Sequence, residues 1–293
     1  MRVAVTGRHG QVASALAERA PALGHEIIAL GRPELDLAAP PTVFAALRNA
    51  APDLVVSAAA YTAVDKAESE PDLASAINGV GAGAVAAAAR ALGAPLIHLS
   101  TDYVFDGRKT GPYEESDATA PLGVYGASKL LGERMVAAAT EDCAILRVAW
   151  IYSPFGANFL KTMLQRSEGK DRMRVVADQH GSPTSALDLA DAILAVGRNL
   201  IGDESPALRG LFHLPAGGAA TWADFAERIF ETSARLGRPR VAVERIATAD
   251  YPTPARRPAN SLLSGEKLRC AHGVTLPPWE DSVRTCVERL LAR

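Results

Sequence analysis

The chain has 293 residues, of which 48% are hydrophobic, with a net charge of −2 and three cysteines. A chain of this length can bury a sizeable core without a disulfide framework, and a charge near zero excludes the electrostatic footprint of a non-specific nucleic-acid binder. Because it shows neither a secretory leader pattern nor an apolar run of about 18 residues, we expect a cytoplasmic protein that contacts neither membrane nor nucleic acid.

The first half of the chain alternates short apolar runs with longer, alanine-rich segments. The apolar runs are RVAVT (2–6), EIIAL (26–30), LVVSA (54–58), PLIHLS (95–100) and CAILRV (143–148). Such runs, separated by helix-length segments, predict βαβ units, and their continuous apolarity is typical of parallel strands covered on both faces. We therefore predict an α/β protein with a Rossmann-type doubly wound parallel sheet and helices on both faces.

After residue 150 the alternation becomes irregular. Helical patterns near 157–169, 185–199 and 221–236 are separated by segments that contain proline or glycine. We predict that residues 1–150 form the sheet domain and that residues 151–293 form mainly a smaller region, with some segments returning to the sheet.

A glycine-containing loop, TGRHGQVA, follows the first predicted strand. Gly7, Gly10 and Ala13 permit a tight turn and a close approach of a pyrophosphate to the N-terminus of the next helix. The spacing differs from G-x-G-x-x-G, so an ordinary glycine turn is the alternative, but the position between the first strand and the first helix favours a dinucleotide. The sheet domain is thus predicted to bind NAD(P), which leaves substrate binding mainly to the second region.

The second predicted strand ends in ALGRPELD. NAD sites usually place an acid at this position, whereas the 2′-phosphate of NADPH favours arginine. Here Gly31 and Arg32 occupy it, and Arg8 lies in the preceding loop. The pattern mildly favours NADPH over NADH; two solvated arginines are the alternative.

Polar residues end the fourth strand, in LIHLSTDYVFDG, and a tyrosine and a lysine follow in VYGASKLLGER. Thr101 and Asp102 lie at the strand end, where open α/β sheets bind ligands, and Tyr125 and Lys129 lie one helical turn apart. An ammonium next to a phenol stabilises the phenolate. We therefore predict carbonyl reduction, in which Tyr125 donates the proton, Lys129 lowers its pKa and binds the nicotinamide ribose, and Thr101 polarises the carbonyl.

The Tyr-x-x-x-Lys spacing also arises by chance, in which case Tyr125 packs at the helix start and Lys129 is solvated. Its place after the glycine loop and the strand-end STD favours the catalytic interpretation. Ala127 and Ser128 are small, and we expect them to leave space between this helix and the cofactor.

Seven segments, in order along nearly the whole chain, resemble the dTDP-4-dehydrorhamnose reductases of the extended short-chain dehydrogenase/reductase superfamily. They are VTGRHGQVA, SAAAYTAVDKAESEP, STDYVFDG, PLGVYGASKLLGE, RVAWIYSPFGANFLKTML, DQHGSPTSALDLA and RPANSLLSGEKL. The resemblance implies NAD(P)H-dependent reduction of the C4 keto group of dTDP-4-dehydro-β-L-rhamnose to dTDP-L-rhamnose, the last step of dTDP-rhamnose biosynthesis. It leaves a homodimer open, and no cluster at metal-ligand spacing suggests a catalytic metal.

The resemblance also assigns roles to individual residues. It matches Tyr125 to the proton donor and Lys129 to the cofactor-binding lysine. Further cofactor contacts follow from it at Gly10, Gln11 and Val12, at Asp36 and Leu37, at Ala60, Tyr61 and Thr62, and at Leu99, in addition to Gly7 and Arg32 above. Substrate contacts follow at Thr101, Asp102 and Trp150; an indole packed in the core is the alternative for Trp150.

Two other functions remain open. One is a different nucleotide-sugar reductase or epimerase with the same Tyr and Lys. The other is a non-catalytic, NADP-binding regulatory subunit, in which the Tyr and Lys pair would be expected to be degraded. In the second region, DQHGSPTS is either a substrate loop or a set of helix caps, and Arg256 and Arg257 either bind the diphosphate or are solvated. His98 is expected in the core or beside the cofactor.

Overall fold

A six-stranded parallel sheet forms the centre of the fold in the computed structural model, which describes residues 1–292. The strands of the whole fold are β1 (Arg2–Thr6), β2 (Glu26–Leu30), β3 (Leu54–Ser57), β4 (Leu96–Thr101), β5 (Cys143–Val148), β6 (Ile151–Tyr152), β7 (Arg172–Val176), β8 (His180–Gly181), β9 (Thr184–Ser185), β10 (Gly210–His213), β11 (Ala220–Thr221) and β12 (Ala242–Ile246). The sheet order is β10, β5, β4, β3, β1, β2, with every pair parallel. All five predicted strands are therefore confirmed.

Helices cover both faces of this sheet. The helices of the whole fold are α1 (Gln11–Arg19), α2 (Pro41–Ala50), α3 (Val64–Ala67), α4 (Pro71–Ser75), α5 (Ala82–Leu92), α6 (Val124–Ala139), α7 (Phe159–Arg166), α8 (Ala186–Gly202), α9 (Trp222–Arg235), α10 (Glu266–His272) and α11 (Trp279–Leu291). Alternate residues of each central strand enter different cores: one is shared with α1 and α8, and the other with α2, α5 and α6. This is the predicted doubly wound architecture, and it explains why the strands are apolar throughout.

One long helical run covers the alanine-rich segment before β4. Helices α4 and α5 are joined by a π-helical turn, Ala76–Gly81, into one run over Pro71–Leu92. By length and composition this run could cross a membrane, but 56% of its most apolar window is buried inside the molecule. Its apolar residues pack against α2 and α6, as in the core helix of a globular protein.

The π-helical turn fixes its neighbours through one buried amide. The Asn78 side chain accepts a hydrogen bond from the Tyr61 backbone NH (2.7 Å) and donates to the Tyr61 carbonyl (3.1 Å) and the Ser128 hydroxyl (2.9 Å). Helix α6 approaches so closely that a Cβ at position 132 would lie 2.2 Å from the Asn78 carbonyl oxygen, which explains Gly132. The turn therefore holds both the loop after β3 and helix α6.

The chain beyond β5 builds a second core and also contributes to the sheet. Helices α7, α9 and α11 pack with the parallel pair β7 and β12 around Phe225 and Trp279. Strand β10 pairs with β5 at the edge of the central sheet, and α8 packs on α1. The functional division at residue 150 stays a prediction.

Candidate active site

The loop after β1 has the backbone geometry that a dinucleotide pyrophosphate requires. Gly7 has a φ of +101°, which favours glycine, and Gly10 is the N-cap of α1, with no atom within 4 Å of a Cβ built on it. No acidic side chain lies in the first turn of α1. The NH groups at the start of this helix have no helical partner, so the loop fits a bound phosphate group.

Gln11 and Val12 can meet such a phosphate only through their backbone. The Gln11 side-chain oxygen accepts hydrogen bonds from Ser153 Oγ (2.8 Å) and Asn158 Nδ2 (2.9 Å), which ties α1 to the segment after β6. The Val12 side chain is buried in the core. Both side chains are therefore structural, and the first-turn NH groups are the parts that suit an anion.

At the end of β2, Arg8 rather than Arg32 lies across the glycine. A Cβ at position 31 would lie 3.1 Å from Arg8 Cγ, and the Arg8 guanidinium donates to the Arg32 carbonyl (3.4 Å) and to Glu34 (2.6 Å). Arg32 is exposed. Exposed ion pairs contribute little, so Glu34 holds Arg8 only weakly against a competing anion.

The other predicted cofactor contacts lie along the same edge of the sheet. Asp36 caps a turn before α2, because its carboxylate accepts from the Ala38 NH (2.9 Å), and Leu37 is buried. In the loop after β3, the Tyr61 hydroxyl donates to Glu70 (2.7 Å). The remaining two residues of that loop differ: Ala60 is half-buried and Thr62 is exposed.

The end of β4 brings Thr101, Asp102 and Tyr125 together. Thr101 is buried; its hydroxyl donates to the Asp102 carboxylate (2.9 Å) and accepts from the Tyr103 NH (3.2 Å). Burial raises the pKa of Tyr125 to about 12, while its hydrogen bond with Thr101 lowers the pKa and the charge of Asp102 raises it. Burial also raises the pKa of Asp102 to about 7, and the neighbouring Ser261 and Thr101 hydroxyls act in the opposite direction.

Lys129 is buried and lies on the same face of α6. Its ammonium donates to the Leu99 carbonyl (2.6 Å), burial lowers its pKa to about 8, and the charge of Glu133 opposes that shift. The predicted lowering of the Tyr125 pKa by Lys129 is not observed, because the ammonium is directed at Leu99 and the Tyr125 pKa follows burial, Thr101 and Asp102.

The expectation for the two small residues between them is wrong for Ser128. Its hydroxyl donates to the Tyr125 carbonyl (2.8 Å) and accepts from Asn78, so it faces the π-helical turn rather than a cofactor. Ala127 is exposed. Ser128 therefore fixes α6 instead of leaving space.

A buried ion pair lies behind the site, and the sequence analysis missed it. Glu133 is bound by Arg147 of β5 through two hydrogen bonds (2.8 and 2.7 Å) and by the Ser100 hydroxyl of β4 (2.5 Å). Arg147 Nη1 lies 3.4 Å from His213 Nε2, and its guanidinium carbon is 4.9 Å from the Phe105 ring centroid. The one sequence signal was the spacing, since Glu133 lies four residues after Lys129 on the same helical face.

Trp150 lies just beyond β5 in a strained conformation. Its φ of +49° is in the left-handed region, which costs a bulky residue about 1–3 kcal/mol. Its indole stacks on Trp222, with ring centroids 3.6 Å apart and an interplanar angle of 6°. Both rings are half-buried, so Trp150 is not simply a core residue.

Comparisons with known proteins agree with this geometry. Residues 1–292 match the family model described as the RmlD substrate binding domain. The chain is 52% identical over 292 residues to the dTDP-4-dehydrorhamnose reductase of Sinorhizobium fredii, a match that covers 99% of this chain and 98% of that protein. The chain belongs to the dTDP-4-dehydrorhamnose reductase family.

Two solved structures of such reductases superpose closely on this one. The enzyme from Clostridium acetobutylicum is 35% identical, with a TM-score of 0.91 and coverage of 99% of both chains. The enzyme from Bacillus anthracis, solved in complex with NADP, is 34% identical, with a TM-score of 0.91 and coverage of 98% of this chain and 99% of that one. The predicted family and fold class are confirmed.

In this reductase-family chain, the DQHGSPTS segment supplies one helix cap and makes two other hydrogen bonds. Ser185 caps α8 by accepting from the Leu187 NH (3.3 Å), whereas Ser182 donates to the Gly218 carbonyl (2.9 Å) and Thr184 to the Ser182 carbonyl (3.0 Å). Of these three residues, only Ser185 is therefore a helix cap.

The two arginines and the histidine that the sequence singled out differ in their contacts. Arg257 pairs with Asp65 (2.9 Å), and Arg256 is exposed. His98 is buried in β4, where burial and Lys129 hold its pKa well below the usual range. Within residues 1–292 no three His, Cys, Asp or Glu side chains come together as a metal site.

We predict that Glu133→Gln lowers the free energy of unfolding by about 3–5 kcal/mol, because it leaves the Arg147 guanidinium buried without its counter-charge. Urea unfolding followed by circular dichroism measures the change. Adding Arg147→Met should recover part of the loss, and Glu266→Gln, in an exposed pair with Arg269, should leave stability nearly unchanged. A loss in Glu133→Gln no larger than in Glu266→Gln would contradict the buried pair.

We also predict that Asp102→Asn stabilises the protein more at pH 8 than at pH 5. The pKa of Asp102 is about 7 in the folded chain and about 4 when unfolded, so wild-type stability falls as pH rises through this window, whereas the amide does not titrate. The test compares the Tm of both proteins at the two pH values. Equal Tm differences would refute the raised pKa.

Proposed function

We propose that this chain uses NADPH to reduce the C4 keto group of dTDP-4-dehydro-β-L-rhamnose, giving dTDP-L-rhamnose, the last step of dTDP-rhamnose biosynthesis. The observation that carries the proposal is the convergence of Tyr125, Thr101 and Asp102 at the end of β4, on the edge of the sheet that also carries the glycine loop. The names of its relatives supply the substrate, and the NADP complex of the Bacillus anthracis reductase supports the cofactor.

The residues of the candidate site have different roles in this reaction. The glycine loop and the first turn of α1 hold the pyrophosphate of NADPH, which, when bound, supplies the hydride. Tyr125, whose pKa of about 12 keeps the phenol protonated at neutral pH, donates its proton to the C4 oxygen. Thr101 donates a second hydrogen bond to that oxygen once its hydroxyl turns away from Asp102.

Lys129 holds the cofactor ribose, and its positive charge acts on the phenol only after the ammonium turns away from Leu99. In the structure its ammonium donates to the Leu99 carbonyl, within the strand that ends at Thr101. A small reorientation of the ammonium would let it donate to a ribose hydroxyl while it keeps the same burial. Cofactor binding and proton transfer would then share one cation.

A product-identifying assay tests this proposal. The purified chain is incubated with dTDP-4-dehydrorhamnose and NADPH, the absorbance loss is measured, and the sugar nucleotide is identified. We expect one NADPH oxidised per dTDP-rhamnose formed. A changed sugar without net NADPH oxidation would indicate an epimerase, and binding of NADPH without turnover would indicate a regulatory subunit.

We predict that Tyr125→Phe lowers kcat by at least about 100-fold, the scale of general acid catalysis, because the ring remains and only the proton is lost. The NADPH dissociation constant, measured by fluorescence titration, should stay close to wild type. Wild-type turnover in this variant would remove Tyr125 from the proposed role.

We predict that kcat/KM for NADPH falls as pH rises through about 8, since this ratio reports the free enzyme and Lys129 loses its proton there. Initial rates between about pH 6 and about pH 9.5 measure the profile. In Lys129→Arg the guanidinium stays protonated, so the basic limb should move to higher pH, whatever the absolute rate. If the basic limb of the profile lies at the same pH in Lys129→Arg as in wild type, the titrating group is not Lys129.

Running the product-identifying assay with NADPH and then with NADH tests the preference for NADPH that was predicted from Arg8 and Arg32. A homodimer and a cytoplasmic location stay predictions.

A further inference from the structure

The stack of Trp150 on Trp222 joins a residue of the predicted site to one outside it. Trp222 is the first residue of α9, in the second region, and no sequence motif singled it out. The two rings are nearly parallel at 3.6 Å, and Trp150 holds this position with a left-handed backbone. A strained residue persists only where its surroundings over-determine it, so the contacts of the stack decide what it is for.

Two further residues fix the pair. The Trp222 indole NH donates to the side-chain oxygen of Gln179 (3.2 Å), and the amide nitrogen of the buried Gln179 donates to Thr248 Oγ1 (3.0 Å). On the other ring, a Cβ at position 181 would lie 2.4 Å from Trp150 Cε2, so Gly181 is the residue that admits the indole. The Thr221 capping box holds the start of α9 itself.

The stack lies beside the end of β4, the strand end at which the reacting groups meet. Thr101 of β4 is the register partner of Val148 of β5, Trp150 follows Val148 by two residues, and its side chain packs against the cluster that contains Val104 and Leu130. The half-buried Trp150 ring thus lies next to the place where Tyr125 and Thr101 would hold the C4 oxygen. A nucleobase would lie a diphosphate farther away, so the neighbour of this indole is the hexulose.

We propose that Trp222, Gln179 and Gly181 are positioning residues that hold the Trp150 indole against the hexulose ring of the substrate. The exposed part of the indole, which Trp222 and Gly181 leave free, packs on the C–H side of the sugar and fixes the orientation of the keto carbon relative to Tyr125. This inference rests on the proposed function. It assigns the left-handed backbone of Trp150 to substrate orientation, with the stabilising contacts supplied by the second region.

The experiment compares Trp222→Ala and Trp222→Phe with wild type. Because the chain has only three tryptophans, a stacked indole pair should give an exciton couplet in circular dichroism that both variants lose. In Trp222→Ala, KM for dTDP-4-dehydrorhamnose should rise about tenfold, the scale of one aromatic contact, while the NADPH dissociation constant stays unchanged. Trp222→Phe should restore KM to within about threefold, because phenylalanine also stacks.

Trp279→Phe is the matched control. Trp279 packs in the second core against Phe225 and is not part of the stack, and its buried indole nitrogen has no hydrogen-bond partner. This variant should keep the couplet and the wild-type KM. The loss of the couplet in Trp279→Phe would show that the signal does not come from the Trp150 and Trp222 pair.

A Trp222→Ala variant that loses the couplet but keeps the wild-type KM would overturn the proposal. If Trp222→Ala does not fold, Gln179→Leu removes the acceptor of the indole NH and leaves both rings, and an unchanged KM there would overturn it equally. Absence of NADPH oxidation by wild type refutes the proposed function itself, whereas a wild type that turns over beside unaffected variants refutes only the positioning role.

Discussion

The buried ion pair between Glu133 and Arg147 is the contact on which the candidate site depends. It joins α6, which carries the phenol and the ammonium, to β5, and the Ser100 hydroxyl extends it to β4. Removing two charges from water costs more than their attraction returns unless the geometry is good, so such a pair adds little net stability. It does fix the rotation and height of α6 against the sheet, and Tyr125 can meet Thr101 only in that register.

Helix α6 is held from the opposite side by different forces. There the contact is between backbones, made possible by Gly132 beside the Asn78 carbonyl, and it is completed by the hydrogen bond between Asn78 and Ser128. π-Helical turns are uncommon, and those that occur often lie at functional sites. Here the turn aims one amide at both α6 and the loop after β3, so the predicted proton donor and a predicted cofactor loop share one support.

The sequence predicted those features that follow from local patterns. Continuous apolar strands identified the sheet, and the glycine loop and strand-end STD located its active edge, because parallel strands end at the same side. The sequence could not predict contacts that join distant segments: Arg147 lies fourteen residues from Glu133 on another element, and Trp222 lies far from Trp150 along the chain. The role of Ser128 was misjudged for the same reason, since its partner is on a neighbouring helix.

Burial is the largest cause of the pKa shift at three groups of the site, and in each it favours the neutral form. It raises the pKa of Asp102 and Tyr125 and lowers that of Lys129. Shifts of this kind cost stability, since each charge would be better solvated outside, and they concentrate at functional sites. In such surroundings a developing charge on a substrate oxygen is screened by little water, so Tyr125 and Thr101 interact with it more strongly than they would at the surface. The same low polarity makes small displacements expensive, which explains why α6 is fixed from both faces and why Trp150 is clamped from the second region.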